Sequence, residues 1–231
     1  MRRFVLVLCA LLSAGCSVGQ PSTDPAAVLR QAGPALASLH SVAVDLKFGP
    51  GASFQGITLV SATSKLQLPD ESDTTLKAQQ SKDSLIELRL ITIGSDIYVQ
   101  APFVGFTQLS RSEAAAVPQL SRLFDASSGL PALLPRGTHP SLTGSSSVDG
   151  ADCWEVRAVY TPQQVAEAVP PLQPSGSVTA DLWIGKSDHR LRKAHLAGPL
   201  YGSSAAASTL DVHLHDFNTA FQISRPSPAA A

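Results

Sequence analysis

Residues 178–199 read Val-Thr-Ala-Asp-Leu-Trp-Ile-Gly-Lys-Ser-Asp-His-Arg-Leu-Arg-Lys-Ala-His-Leu-Ala-Gly-Pro. Val178, Ala180, Leu182 and Ile184 fall on alternate positions, Gly185 to Asp188 has turn chemistry, and alternation resumes from Arg190 to Leu196. Side chains on a strand point to opposite faces in turn, so this is a hairpin with one apolar face and one solvated face. The stretch therefore sets an antiparallel sheet.

Working outward, Leu210, Val212 and Leu214 repeat the pattern in a last strand. Upstream, Cys153 to Tyr160 places Trp154, Val156, Ala158 and Tyr160 on one face. Thr161-Pro162-Gln163-Gln164 then supplies a cap, a first-position proline and a third-position glutamine, which predicts a helix to about Val169, stopped by Pro170-Pro171. Further back, Val42, Val44, Leu46 and Phe48 alternate with polar residues. A Gly-Pro-Gly turn at 49–51 leads to Val60, Ala62, Ser64, Leu66 and Leu68, and weaker alternation appears around Leu76 and Ala78. Ile86, Leu88 and Leu90 turn through Gly94-Ser95-Asp96 into Ile97-Tyr98-Val99. Between Pro102 and Pro140 the strand period lapses, and Val117, Leu120, Leu123, Phe124, Leu130, Leu133 and Leu134 predict short helices and loops. These pack on the sheet or form a lid over a cavity. At the front, Asp24-Pro25 begins a helix carrying Leu29, Ala32, Leu36 and Leu39, with a kink or break expected at Gly33-Pro34. The sum is an α+β domain, with many antiparallel strands in meander order and helices on one face. A sheet of that size tends to curl.

The N-terminus sets the compartment. Arg2 and Arg3, the apolar run Phe4 to Leu12, and Ser13-Ala14-Gly15-Cys16 have the form of a signal peptide. The run is too short to span a bilayer, which takes about 20 residues. The sequence around Cys16 resembles a lipobox, with Ser13 where Leu is commonest; the alternative is an ordinary signal cleaved nearby. The expected organisation is a signal peptide over 1–15, a lipid-anchored tether over 16–24, one domain over 25–225 and a disordered tail over 226–231. Two acyl chains on Cys16 would suffice for stable anchoring. Cys9 leaves with the signal, so the folded domain keeps only Cys153, read as a structural thiol.

Composition limits the function. Charged residues are 15% of the 231 and the net charge is -1, which excludes a nucleic-acid footprint. Aromatics are only 6%, so small and aliphatic side chains must fill the interior, and incomplete filling is expected. No nucleophile elbow, zinc-protease motif, Walker loop or dinucleotide fingerprint occurs, so no enzyme and no cofactor are expected. Asp211, His213 and His215 share a strand face and have metal-ligand chemistry, but Leu210, Val212 and Leu214 take the core side. The trio is read as solvated and no metal is assigned. Asp70-Glu71 and the pair Asp149 and Asp152 are read as turn residues, and the remaining histidines have no partner at motif spacing.

Residues 182–199, residues 209–218 (Thr-Leu-Asp-Val-His-Leu-His-Asp-Phe-Asn) and residues 97–102 (Ile-Tyr-Val-Gln-Ala-Pro) together resemble the LppX/LprG family of mycobacterial lipoproteins. The resemblance runs over nearly the whole mature chain and has no catalytic motif in it. It implies a strongly curved antiparallel half-barrel of the LolA/LppX kind with helices packed on the concave face. It also implies an apolar cavity for the acyl chains of envelope lipids or glycolipids, and a role in carrying or presenting them across the envelope from the outer face of the cell membrane. A lipid exporter in the membrane is a further expected partner.

The family brings no fixed ligand side chains, so the expected lining follows from the inward strand phase. In the first half this comprises Val42, Val44, Leu46, Val60, Ala62, Leu66, Ile86, Leu88 and Leu90. The central segment adds Leu120, Leu123, Phe124, Leu130 and Leu133, and the last strands add Trp154, Val156, Ala158, Ala180, Leu182 and Val212. Small residues such as Ala62, Ser64, Ala158 and Ala180 would leave room inside the curve. The alternatives are a structural or interaction lipoprotein with a filled core and, less favoured, an envelope hydrolase.

Overall fold

The computed structural model describes residues 23–54, 56–81, 84–202 and 207–226. The expected signal peptide, Cys16 and most of the expected tether and tail lie outside these. Helix α1 (Pro25–Ala37) starts where Asp24 accepts hydrogen bonds from the backbone of Ala26 and Ala27 at 3.0 and 3.2 Å. It runs through Pro34 as one helix, where a kink or break was expected. Gly33 explains the close fit there, because a Cβ on it would lie 2.6 Å from the carbonyl oxygen of Pro131.

Among the described residues, twelve strands form one antiparallel sheet. They are β1 (Ser41–Phe48), β2 (Ser53–Phe54), β3 (Ile57–Gln67), β4 (Glu71–Ser81), β5 (Ser84–Ile93), β6 (Asp96–Gln100), β7 (Thr107–Gln108), β8 (Thr138–Val148), β9 (Ala151–Tyr160), β10 (Val178–Gly185), β11 (Leu191–Gly198) and β12 (Ser208–His215). The order is β7-β6-β5-β4-β3-β1-β12-β11-β10-β9-β8, with β2 paired only to β3. Two meanders thus meet where the first strand pairs with the last. The sheet is curved and open, with edges at β7 and β8.

The segment between those edges holds α2 (Arg111–Ala116), a 3-10 turn at Leu120–Phe124, α3 (Leu130–Leu133) and a second 3-10 turn at Leu134–Arg136. The first 3-10 turn packs on β3 and β4, and α2 on β6; α3 and the second 3-10 turn pack on α1. After β9, α4 (Pro162–Ala168) opens with the Thr161/Gln164 capping box expected from sequence and packs on α3. Helices and sheet share one apolar core. The α+β half-barrel is the architecture that pattern and resemblance together anticipate.

Two elements lack the expected signals. Strand β8 is exposed along nearly its whole length, so no buried face imposes alternation on Thr-His-Pro-Ser-Leu-Thr-Gly-Ser-Ser-Ser-Val. Helix α2 buries no residue and depends on a capping box between Ser110 and Glu113.

Candidate functional site

The strand registers align one apolar row on the inner face. It runs Leu142, Val156, Leu182, Ala194, Val212, Leu46, Ala62, Leu76, Leu88, each residue opposite the next. A second row runs Leu214, Val44, Ser64, Thr74, Leu90, Val99. Within it the Ser64 and Thr74 hydroxyls pair at 2.7 Å, so the polar atoms on this face satisfy each other.

Burial divides this face in two. Over β1 and β9 to β12, Val42, Val44, Leu46, Val156, Ala158, Ala180 and Leu182 are sealed beneath the helices, together with Ala62 and Leu66 of β3 and with Leu123, Phe124 and Leu133. Leu120, Leu130, Trp154 and Val212 are half-buried against the same core. The small residues at 62, 158 and 180 are closed over: Gly137 crosses so near that a Cβ there would lie 2.9 Å from Ala158 Cβ.

The wing formed by β3 to β6 is different. Val60, Ile86, Leu88 and Leu90 are half-buried and lie outside the sealed core, and Val99 beside Leu90 is half-buried too. Apolar side chains here keep surface free on the face the rows share with the core. A bulge between Leu59 and Ser61 leaves Val60 without a partner opposite it and puts Leu59 across from Ala78. Leu59, Leu76 and Val99 therefore join the inner surface of the wing. Strict alternation read through Val60 misses Leu59, because a one-residue slip changes the phase. In the loop after β6, Phe103 and Val104 stand in solvent, and Phe103 has a φ of 66°.

Polar groups on or near this core are few. Tyr201 packs against it with a hydroxyl that has no partner among the described residues, and burial pushes its pKa up to about 12. Cys153 is buried, its Sγ 3.4 Å from the carbonyl oxygen of Ala151, and desolvation raises its pKa. On the opposite face, Asp211 does not group with the two histidines of its own strand; it pairs with His195 Nδ1 at 2.6 Å.

The LppX_LprAFG lipoprotein family model matches residues 24–223. The chain belongs to this family. Its fold is similar to the crystal structure of LprF from Mycobacterium bovis, at TM-score 0.71 and 16% identity, covering 91% of this chain and 100% of that one. It is also similar to the Mycobacterium tuberculosis lipoprotein LppX, at TM-score 0.59 and 18% identity, covering 87% and 98%. No curated protein sequence matches the chain. Among the described residues no helix is long and apolar enough to cross a membrane, and family members are lipoproteins.

Proposed function

We propose that this lipoprotein binds the acyl chains of envelope lipids or glycolipids on the inner face of its sheet, at the β3 to β6 wing, and carries or presents them across the cell envelope. Family and fold support lipid binding, and the observation that favours this surface is the half-exposed ladder of Leu76, Leu88, Leu90 and Val99 continuing the sealed core. An alkyl chain laid on that ladder removes apolar area from water at about 25 cal/mol per Å2. Such binding tolerates variation in chain length, because each methylene contributes only about 0.8 kcal/mol. The reading is non-enzymatic, with diacylated Cys16 holding the domain to the outer face of the membrane.

Purifying the lipoprotein from its own envelope and analysing extracted lipids by mass spectrometry tests this. Acyl lipids in near-stoichiometric yield are expected. Native mass spectra that contain only empty protein would overturn it. That result would favour a structural or interaction lipoprotein, the reading suited to the sealed half of the inner face.

A further inference from the structure

We propose that Asp45, His213 and His215 form a divalent transition-metal site, suited to zinc, on the outer face of the sheet. β12 presents both histidines away from Val212 and Leu214, and β1 places Asp45 directly across from His213. Asp45 Oδ2 lies 3.7 Å from His213 Nδ1 and 3.2 Å from His215 Nε2. One ligand atom from each of the three residues fits within a mutual separation of 4.8 Å. Zinc bonds of about 2.0–2.2 Å draw such atoms to roughly 3–4 Å, a contraction within reach of side-chain rotation on half-exposed residues.

The surroundings of the imidazoles point to a cation independently of that spacing. The far nitrogen of each ring already faces a carboxylate: His213 Nε2 lies 2.7 Å from Asp149 Oδ2, and His215 Nδ1 lies 3.1 Å from Asp216 Oδ2. Carboxylates on the outer nitrogens of metal-binding histidines fix the tautomer and raise ligand basicity. A cation between the three groups would take His213 Nδ1 and His215 Nε2, the ring nitrogens that face Asp45 Oδ2.

Two of the four imidazole–carboxylate contacts have hydrogen-bond geometry, His213 Nε2 with Asp149 at 2.7 Å and His215 Nε2 with Asp45 at 3.2 Å. Lys193, across from His213 on β11, has its ammonium 4.8 Å from the Trp183 ring centre. The donor set of two imidazoles and a carboxylate, with water completing the shell, suits zinc.

Asp149 belongs to the turn between β8 and β9, with a φ of 50°. A metal on His213 would strengthen its bond to Asp149 and fasten the tip of the exposed β8–β9 hairpin to β12.

The test is titration of the detergent-solubilised mature lipoprotein with zinc against a chromophoric chelator. One zinc per chain is expected, lost in Asp45→Asn and in His213→Ala. Asp149→Asn should weaken binding about 10- to 100-fold, as for other outer-shell carboxylates. His195→Ala, which alters the neighbouring pair with Asp211, should leave binding unchanged. Hydrogen exchange at the β8–β9 turn should slow on adding zinc. Asp45→Asn keeps side-chain shape, so it remains informative even if His213→Ala fails to fold. Absence of stoichiometric zinc, or zinc binding indifferent to Asp45→Asn, would overturn the proposal.

Discussion

Tyr160 donates a hydrogen bond from its phenolic hydroxyl to the carbonyl oxygen of Leu134, 3.2 Å away in the protein interior. The bond joins the end of β9 to the 3-10 turn that closes the segment crossing the concave face. Burial raises the pKa of the phenol, so it stays a neutral donor at every physiological pH. Tyr160→Phe would leave the Leu134 carbonyl without this partner while preserving the ring. The expected loss is about 1–2 kcal/mol, read as a lower denaturant midpoint with an unchanged slope. An unchanged midpoint would show that the bond adds nothing to stability.

Asp125 should show the clearest carboxylate titration anomaly. Its Oδ1 accepts hydrogen bonds from the hydroxyl and backbone N–H of Ser127 and from those of Ser128, at 2.6–3.0 Å. These donors, Ser127 first, hold its pKa at about 2. A folded-state pKa below the unfolded value means that the turn contributes stability fully above the ordinary carboxylate range near pH 4. That contribution fades as pH falls toward 2. Carbon-detected NMR of the side chain should give a midpoint near 2, and Ser127→Ala should move it upward. A midpoint near 4 in the parent protein would contradict the turn geometry.

How far the sequence reveals this fold depends on whether burial has left a pattern in it. From β9 to β12 every strand has one face in the core, and Val156, Leu182, Leu196 and Leu214 lie in alternating runs that break only near the β10–β11 turn, where a register shift sets Leu191 opposite Ile184, and at Cys153, so strand positions and the order of hairpins are legible. β8 rests at an edge with almost nothing buried, and its serine-rich sequence has no period to read. The inner lining is legible in phase but not in depth. Ala180 and Leu88 are equally inward by alternation, and only the packed helices determine that the first is sealed and the second half-open. The outer cluster is hidden for another reason: Asp45 and Asp149 reach His213 across long sequence separations, whereas the local spacing offers Asp211, which pairs elsewhere.

The division of the inner face predicts opposite outcomes for two kinds of substitution. Leu66→Ala removes a fully buried side chain from the core and should cost about 2–5 kcal/mol, measured by chemical denaturation. Leu88→Gln changes a half-buried position on the wing, so stability should fall by less than 1 kcal/mol. Its effect should appear in the lipid instead. An amide left without a partner beneath an acyl chain costs about 1–3 kcal/mol, which lowers affinity roughly 5- to 150-fold. Equal lipid occupancy in Leu88→Gln and parent protein would move the ligand away from the wing.

Cys153 provides a test of packing that requires no ligand. Its side chain is buried at the start of β9, and the backbone of Gly185 lies opposite it. Desolvation by that burial raises the thiol pKa, and the nearby Arg192 guanidinium opposes the shift only in part. Only the thiolate attacks alkylating reagents or disulfides, so both its scarcity and its inaccessibility slow the reaction. Iodoacetamide labelling read at the Cys153 peptide should therefore be at least tenfold slower in the native protein than in denaturant. The native rate should follow local opening of β9 rather than reagent concentration once reagent is in excess. Labelling as fast as that of a free thiol would mean that the start of β9 is not packed as the burial of Cys153 requires.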